Sequence, residues 1–261
     1  MFDYHTHSSL SFDSETSALK MAQKAAKIGL KEICFTDHYD CFFNPNDEMP
    51  YIFTKEDYTK TYDNLYVEGI KIKKGIEFGL TPWNAGHADE IIKDIDFVIG
   101  SLHYLESGDP YTEEKFWQGR STKEAFRDYL ESVYNCVKIH SNFDVLGHLT
   151  YVSKCPLNSS KDLVLYKDFR DISDEIMKEL VSKGIGMEIN TSGINAIGAF
   201  LPDKDYLARF KELGGEIITV GTDSHDETRI GQYVPEALEI IKDVFGYVCT
   251  FEKRKPIFNK L

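Results

Sequence analysis

The length and charge of the chain limit the classes of protein it can be. Its 261 residues can bury a substantial core, and we expect one barrel-sized domain. A formal net charge of −13 argues against general nucleic-acid binding, although clustered cations could make one pocket locally positive. The five scattered cysteines include no C-x-x-C pair, which argues against thiolate zinc. A soluble cytoplasmic protein is expected, because neither a membrane-spanning run nor a signal-peptide pattern is present.

Short apolar runs alternate with stretches of helical period along the chain. The predicted strands are Phe2–His5, Glu32–Thr36, Ile70–Phe78, Phe97–Leu102, Phe143–His148, Gly186–Asn190 and Glu216–Gly221. Apolar residues at helical spacing from Ala18 to Ile28, followed by Gly29, predict a helix between the first two. A capping box of Ser121 and Glu124 predicts another over Ala125–Ile139. About seven strands, each followed by a helix to the end of the chain, predict a parallel sheet.

The positions of the polar residues favour a closed or nearly closed barrel over an open sheet. Those at or just beyond strand ends are His38, Glu77, His103, His148, Asn190 and Asp223. In a barrel these ends meet at one rim, whereas an open sheet spreads them apart and usually carries a Gly-rich phosphate loop, which is missing here. Three long connections at this rim, Tyr39–Phe53, Tyr104–Arg120 and Leu149–Tyr166, are suited to substrate recognition.

The histidines are the strongest sign of a metal site. His5 and His7 are two residues apart on a strand, so their side chains share one face and can bind one ion together. Six of the eight histidines fall at strand ends, and only His87 and His140 do not. His140, near a predicted helix end, is expected to interact with the helix dipole. Mixed imidazole and carboxylate ligands suit zinc, iron or manganese better than calcium or magnesium.

Six short motifs resemble those of a known family. They are His5-Thr-His7, Thr36-Asp-His38, Gly75-Ile-Glu77, Gly100-Ser-Leu-His103, Gly147-His148 and Gly221-Thr-Asp-Ser-His225. In this order they resemble the polymerase and histidinol phosphatase (PHP) superfamily over nearly the whole chain. The resemblance implies an α/β fold, a distorted TIM-like (β/α)7 barrel that forms a single PHP-type domain over residues 1–261. It also implies a trinuclear metal centre at the C-terminal rim of the strands.

The resemblance also implies a set of ligands for two to three divalent ions. One ion would be bound by His5, His7, Glu77 and Asp223. Glu77 would bridge to a second ion bound by His103 and His148, and the third would take Asp13, His38 and His225. For Asp13 an alternative is an N-cap role before the helix that begins near Glu15.

Such a centre predicts phosphate-ester hydrolysis, because clustered ions activate water and polarise a phosphoryl group. The nucleophile would be metal-bound hydroxide, with Glu77, Asp223 and His225 as catalytic residues. The segment Glu188-Ile-Asn-Thr-Ser-Gly193 resembles the histidinol-phosphatase branch, which implies conversion of L-histidinol phosphate to L-histidinol and phosphate in histidine biosynthesis. Alternatives are another PHP-type phosphoesterase, for nucleotides or phosphotyrosine, or a non-catalytic metal-binding regulatory protein.

Residues that contact the substrate are predicted less directly. Family members often carry an arginine after Asn-Thr-Ser-Gly, where this chain has Ile194. Lys154, Arg120 or Arg229 could bind phosphate instead through charge-assisted hydrogen bonds. Asn190 and Ser192 are further candidates. A small phosphorylated substrate is expected, membrane and nucleic-acid partners are not, and the sequence leaves the oligomeric state open.

Overall fold

A sheet of seven parallel strands forms the centre of the protein in the computed structural model, which describes residues 1–41, 51–87, 89 and 91–261. Each strand pairs with the next one along the chain. The strands are β1 (Phe2–Thr6), β2 (Glu32–Tyr39), β3 (Lys71–Gly79), β4 (Phe97–Ser101), β5 (Val145–Leu146), β6 (Gly186–Asn190) and β7 (Ile218–Gly221). Their near-continuous burial confirms the predicted parallel sheet with both faces covered.

The first and last of these strands meet, which nearly closes the barrel. The His7 N–H donates to the Ser224 carbonyl at 2.8 Å, and the Asp223 N–H donates to the His5 carbonyl at 2.8 Å. The buried Asp3 carboxylate reinforces the seam, because it accepts from the Thr222 N–H at 3.0 Å and from its hydroxyl at 2.6 Å. The predicted TIM-like barrel is confirmed.

Helices pack around this sheet, and several begin where local sequence signals place them. They are α1 (Ala18–Lys27), α2 (Lys55–Tyr62), α3 (Glu114–Trp117), α4 (Thr122–Ile139), α5 (Arg170–Lys183), α6 (Gly193–Ile197), α7 (Lys204–Glu212) and α8 (Val234–Val244). Ser121 and Glu124 form the predicted capping box of α4, and Gly184 ends α5 with φ of 67°. Among the described residues, no helix is both long and apolar enough to cross a bilayer.

Two parts of the chain depart from the predicted alternation of strand and helix. The predicted strand Phe143–His148 is reduced to Val145–Leu146, because the His148 N–H donates to the Glu188 carboxylate at 2.9 Å rather than to a neighbouring strand. Between β3 and β4 the described residues form a short 3-10 turn at Ile92–Asp94 instead of a long helix. Of the predicted connection Tyr39–Phe53, residues 42–50 lie outside the described residues.

The chain ends in an antiparallel hairpin that the alternating pattern did not predict. It consists of β8 (Tyr247–Glu252) and β9 (Lys255–Lys260), joined through Lys253 and Arg254 with positive φ. Such turns favour Asn and Gly, so this pair gives no sequence signal for a hairpin. Arg254 Nε binds Asp144 Oδ2 at 2.6 Å, just before β5, so the hairpin covers the end of the barrel opposite the rim.

Candidate metal centre

The C-terminal ends of the strands bring all nine predicted metal ligands together. His5, His38 and Glu77 lie on β1, β2 and β3. Asp13 lies in the loop between β1 and α1, and the other predicted ligands follow the ends of strands. Atoms that lie within 4.8 Å of one another form three overlapping groups among the described residues. The groups are His5, His7, Glu77 and Asp223; His38, Glu77 and His103; and His7, His38 and His225.

Glu77 is at the centre of the cluster. Its Oε2 lies 3.2 Å from His5 Nε2, 3.5 Å from His7 Nε2 and 3.1 Å from His38 Nδ1. Its Oε1 lies 2.9 Å from His148 Nε2 and 3.4 Å from His103 Nε2. Burial alone would raise the pKa of Glu77, but the surrounding histidines hold that pKa well below its usual range. One ionised carboxylate therefore contacts five imidazoles.

Two further carboxylates complete the cluster. Asp223 Oδ1 lies 3.3 Å from His7 Nε2, and its Oδ2 lies 2.5 Å from Lys154 Nζ. Asp13 Oδ2 lies 3.0 Å from His225 Nε2 and 3.5 Å from His38 Nε2. The N-cap of α1 is Ser17, whose side chain accepts from the Lys20 N–H, so Asp13 does not take the alternative capping position.

Several polar atoms of the cluster fit divalent cations because they are buried without a hydrogen-bond partner. Within the described chain they include the Nε2 atoms of His5, His7 and His225, with Glu77 Oε2 and Asp40 Oδ1. Buried polar atoms without partners are costly, and proteins rarely retain them without a reason. Imidazole nitrogens and carboxylate oxygens around a common centre are the donors that zinc, iron and manganese prefer.

A second layer of side chains, most of it not predicted as part of the site, fixes the imidazole rings. His5 Nδ1 lies 2.7 Å from Glu188 Oε1, and His7 Nδ1 lies 3.0 Å from Ser11 Oγ. The Ser11 hydroxyl donates in turn to Asp37 Oδ1 at 3.0 Å. Partners of this kind fix the tautomer and direction of a metal-binding histidine. The signal in the sequence was Glu188, a charged residue between the apolar Met187 and Ile189 of a buried strand.

Asp40 is another residue that sequence reasoning missed. Its carboxylate is only 1% exposed, and its Oδ2 lies 3.4 Å from both His38 Nδ1 and His103 Nδ1. Gly79 on the neighbouring strand leaves the necessary room, since a methyl group there would overlap the Asp40 carboxylate. Asp40 follows His38 by two residues at the end of β2, a spacing that places both on one face and could have indicated it.

A cavity of about 610 Å³ opens above the cluster. Some of the predicted substrate contacts line this cavity and others do not. Lys154, Ser192 and Arg229 line it, and Lys154 Nζ donates to Ser192 Oγ at 2.8 Å. Asn190 is fully buried beneath, where its Oδ1 accepts from the Ser192 hydroxyl at 2.6 Å. Arg120 does not line the cavity, because its guanidinium binds Asp128 at 2.7 Å and covers the ring of Phe116.

The barrel and its histidine and carboxylate cluster define a metal-dependent barrel enzyme. The chain belongs to the PHP domain family, whose model matches residues 3–192. It is 34% identical to the histidinol-phosphatase of Lactococcus lactis subsp. lactis (strain IL1403), over 99% of this chain and 97% of the relative. A probable histidinol-phosphatase of Clostridium acetobutylicum is 29% identical, over 97% of this chain and 98% of the relative.

A solved structure has the same fold. The crystal structure of histidinol phosphate phosphatase from Lactococcus lactis subsp. lactis Il1403, complexed with Zn, L-histidinol and phosphate, superposes with a TM-score of 0.86. It is 32% identical in sequence and covers 98% of each chain. The protein is therefore a phosphatase of the PHP type.

Proposed function

We propose that this protein hydrolyses L-histidinol phosphate to L-histidinol and phosphate, the phosphatase step of histidine biosynthesis. The observation that carries the proposal is the cluster around Glu77, in which one carboxylate contacts five imidazoles from four strand ends. Similarity over nearly the full length to a histidinol-phosphatase solved with Zn, L-histidinol and phosphate supports the choice of substrate.

Two or three ions of zinc, iron or manganese are proposed for the cluster. His5, His7, Glu77 and Asp223 would hold one ion, and Glu77, His103 and His148 would hold another. Asp13, His38 and His225 would hold the third. When bound, such ions supply an activated water and neutralise the charge that develops on the phosphoryl oxygens.

The side chains at the edge of the cluster are proposed to position the phosphate. The charge of Asp223 raises the pKa of Lys154 although burial opposes this, so the ammonium group stays protonated. Lys154, Ser192 and Arg229 line the same cavity and would donate hydrogen bonds to phosphate oxygens. Asn190 keeps the Ser192 hydroxyl in place. We do not assign this role to Arg120, because it does not line the cavity and binds Asp128 outside it.

Asp223 is proposed to act as a proton acceptor. Burial would raise its pKa, but Lys154 and His5 hold that pKa well below its usual range. An ionised carboxylate would be able to accept a proton from an attacking water, and Asp223 lines the cavity above the cluster. His225 is oriented by Asp223, since its Nδ1 lies 3.0 Å from the Asp223 carbonyl oxygen.

The proposal is tested by replacing its central residue. Glu77→Ala removes the carboxylate that all five histidines contact, so we expect loss of bound metal and loss of phosphate release from L-histidinol phosphate by more than about a thousandfold. Metal content is measured by elemental analysis, and phosphate release is measured with L-histidinol phosphate, nucleotides and a phosphotyrosine peptide.

Glu175→Ala serves as the matched control, because Glu175 lies on the exposed face of α5 and pairs only with Lys178 among the described residues. Full activity in Glu77→Ala would refute the proposal that Glu77 bridges two ions. Turnover of phosphotyrosine peptide or nucleotide, but not of L-histidinol phosphate, would refute the biosynthetic assignment.

A further inference from the structure

One carboxylate on the cavity wall differs from all the others that line it. Asp13, Asp40 and Asp223 each lie within ion-pair distance of a histidine or lysine of the cluster. Asp109 lines the same cavity, yet no Lys, Arg or His nitrogen of the described residues lies within 4.0 Å of its carboxylate. The cavity thus contains a carboxylate that has no counter-ion among the described residues.

The Asp109 carboxylate is held in a fixed position rather than left mobile. Its Oδ1 accepts from the Tyr111 N–H at 2.7 Å, and its Oδ2 accepts from the Thr112 hydroxyl at 2.6 Å. The Asp109 N–H donates to Glu113 Oε2 at 3.0 Å, which anchors the backbone. Each carboxylate oxygen keeps a free lone pair, so the group can still accept hydrogen bonds from a ligand.

An aromatic wall connects Asp109 with the metal cluster. The rings of Tyr111 and Tyr151 stack with centroids 6.3 Å apart, and the Tyr151 ring lies 5.0 Å from that of His148 and 5.5 Å from that of His103. Lys154 Nζ lies 5.2 Å above the same Tyr151 ring. Along this wall the charge therefore changes from positive at Lys154 to negative at Asp109.

We propose that Asp109 and the adjoining tyrosines form the binding subsite for an ammonium group of the substrate. A phosphate monoester of an amino alcohol would bind its phosphate at Lys154 and the cluster, and its ammonium group at Asp109, beside aromatic faces that also attract cations. A nucleotide or a phosphorylated sugar would leave Asp109 buried against the ligand without a counter-charge. This proposal rests on the proposed function and explains how the cavity selects among phosphate esters.

Two alkyl phosphates that differ only in the ammonium group test the subsite. The wild-type protein should hydrolyse the phosphate ester of 2-aminopropan-1-ol with higher kcat/KM than that of propan-1-ol. In Asp109→Asn this preference should fall by about ten- to a hundredfold, chiefly through KM, because one charge-assisted interaction is removed. Turnover of the propan-1-ol ester should be unchanged, which also shows that the variant folds and retains its metal.

A binding measurement without turnover gives an independent readout. L-Histidinol carries the ammonium group but no phosphate, and calorimetry should show its dissociation constant rising by about the same factor in Asp109→Asn. Asp162→Asn is the matched control, because it removes one exposed carboxylate outside the cavity lining and should leave both readouts unchanged.

Three outcomes separate the two proposals. An equal loss of kcat/KM in Asp109→Asn for the two alkyl phosphates, or no loss for either, would overturn the proposed ammonium subsite but would not contradict the phosphatase activity. An unchanged dissociation constant for L-histidinol would also overturn it. If the wild-type protein hydrolyses neither ester nor L-histidinol phosphate, the proposed function itself fails.

Discussion

At the scale of single residues, the sequence indicated the side chains that come together in the cluster but not most of the groups that contact their imidazoles from behind. His5, His7 and Glu77 carry signals because their types and spacing are unusual for buried strands. Asp40 carries a weak signal, since an aspartate after a strand is common at turns. Its role becomes visible only when the barrel brings His38 and His103 to 3.4 Å from one carboxylate oxygen.

Asp40→Asn is expected to weaken metal binding without unfolding the protein. The amide keeps the shape of the side chain but removes the charge beside two imidazoles, and losses of such partners cost about ten- to a hundredfold in metal affinity. Affinity is measured by competition with a chromogenic chelator. Gly79→Ala should act in the same direction, because the added methyl group displaces the Asp40 carboxylate.

The control for both variants is Asp94→Asn, which removes an exposed carboxylate that pairs with Lys55. If Asp40→Asn binds zinc as tightly as the wild-type protein, Asp40 does not orient the two histidines.

At the scale of secondary-structure elements, the C-terminal end of α4 shows how burial can override a local expectation. From the sequence, His140 is expected to interact with the helix dipole. Instead it is 4% exposed, its Nε2 lies 2.8 Å from the Thr81 carbonyl oxygen, and burial lowers its pKa. The cation at this helix end is Lys183 from α5, whose ammonium group donates to the carbonyls of Val137, Lys138 and His140.

The lowered pKa of His140 predicts a loss of stability in acid. As the pH falls below about 6.5, the unfolded chain takes up a proton at His140 that the native state does not, so the free energy of unfolding falls. In His140→Gln this contribution is absent, and the stability difference between the two proteins should change by up to about 1.4 kcal/mol per pH unit below that point. Urea unfolding between pH 5 and 8 measures it.

Comparing the two proteins at each pH cancels the titration of the other histidines. A difference that stays constant from pH 8 to pH 5 would contradict a neutral, buried His140 in the native state.

At the scale of the whole molecule, the barrel was predictable because it depends on a pattern repeated along the chain. The order of strands and the rim that collects His38, Glu77 and Asp223 follow from the parallel alternation alone. The hairpin of β8 and β9 did not follow, because Lys253 and Arg254 adopt positive φ without Gly or Asn to indicate it. Likewise, no local sequence pattern indicates that Arg120 pairs with Asp128. Because of this ion pair, Arg120 does not reach the cavity.

The barrel is expected to gain stability from its ions. The proposed ligands come from nearly every strand, so they would bind metal together only when the barrel is folded. A metal that binds only the native state raises the free energy of unfolding by mass action, by about 2.7 kcal/mol at a hundred times its dissociation constant. Tm should therefore rise with added zinc and fall after chelation, as calorimetry would record. In Glu77→Ala the zinc-dependent rise should largely disappear, and an equal rise in that variant would mean that the ion binds elsewhere.

The seam between β1 and β7 determines when the site can form during synthesis. His5 and His7 leave the ribosome early, whereas Asp223 and Ser224, to which their backbone is hydrogen-bonded, follow roughly 10 to 40 s later at usual translation rates. Until then His5 and His7 are present in the nascent chain, but β7, with which β1 pairs to close the barrel, is not. Binding of metal by the complete set of proposed ligands would therefore have to wait until β7 and the residues that follow it have been synthesised.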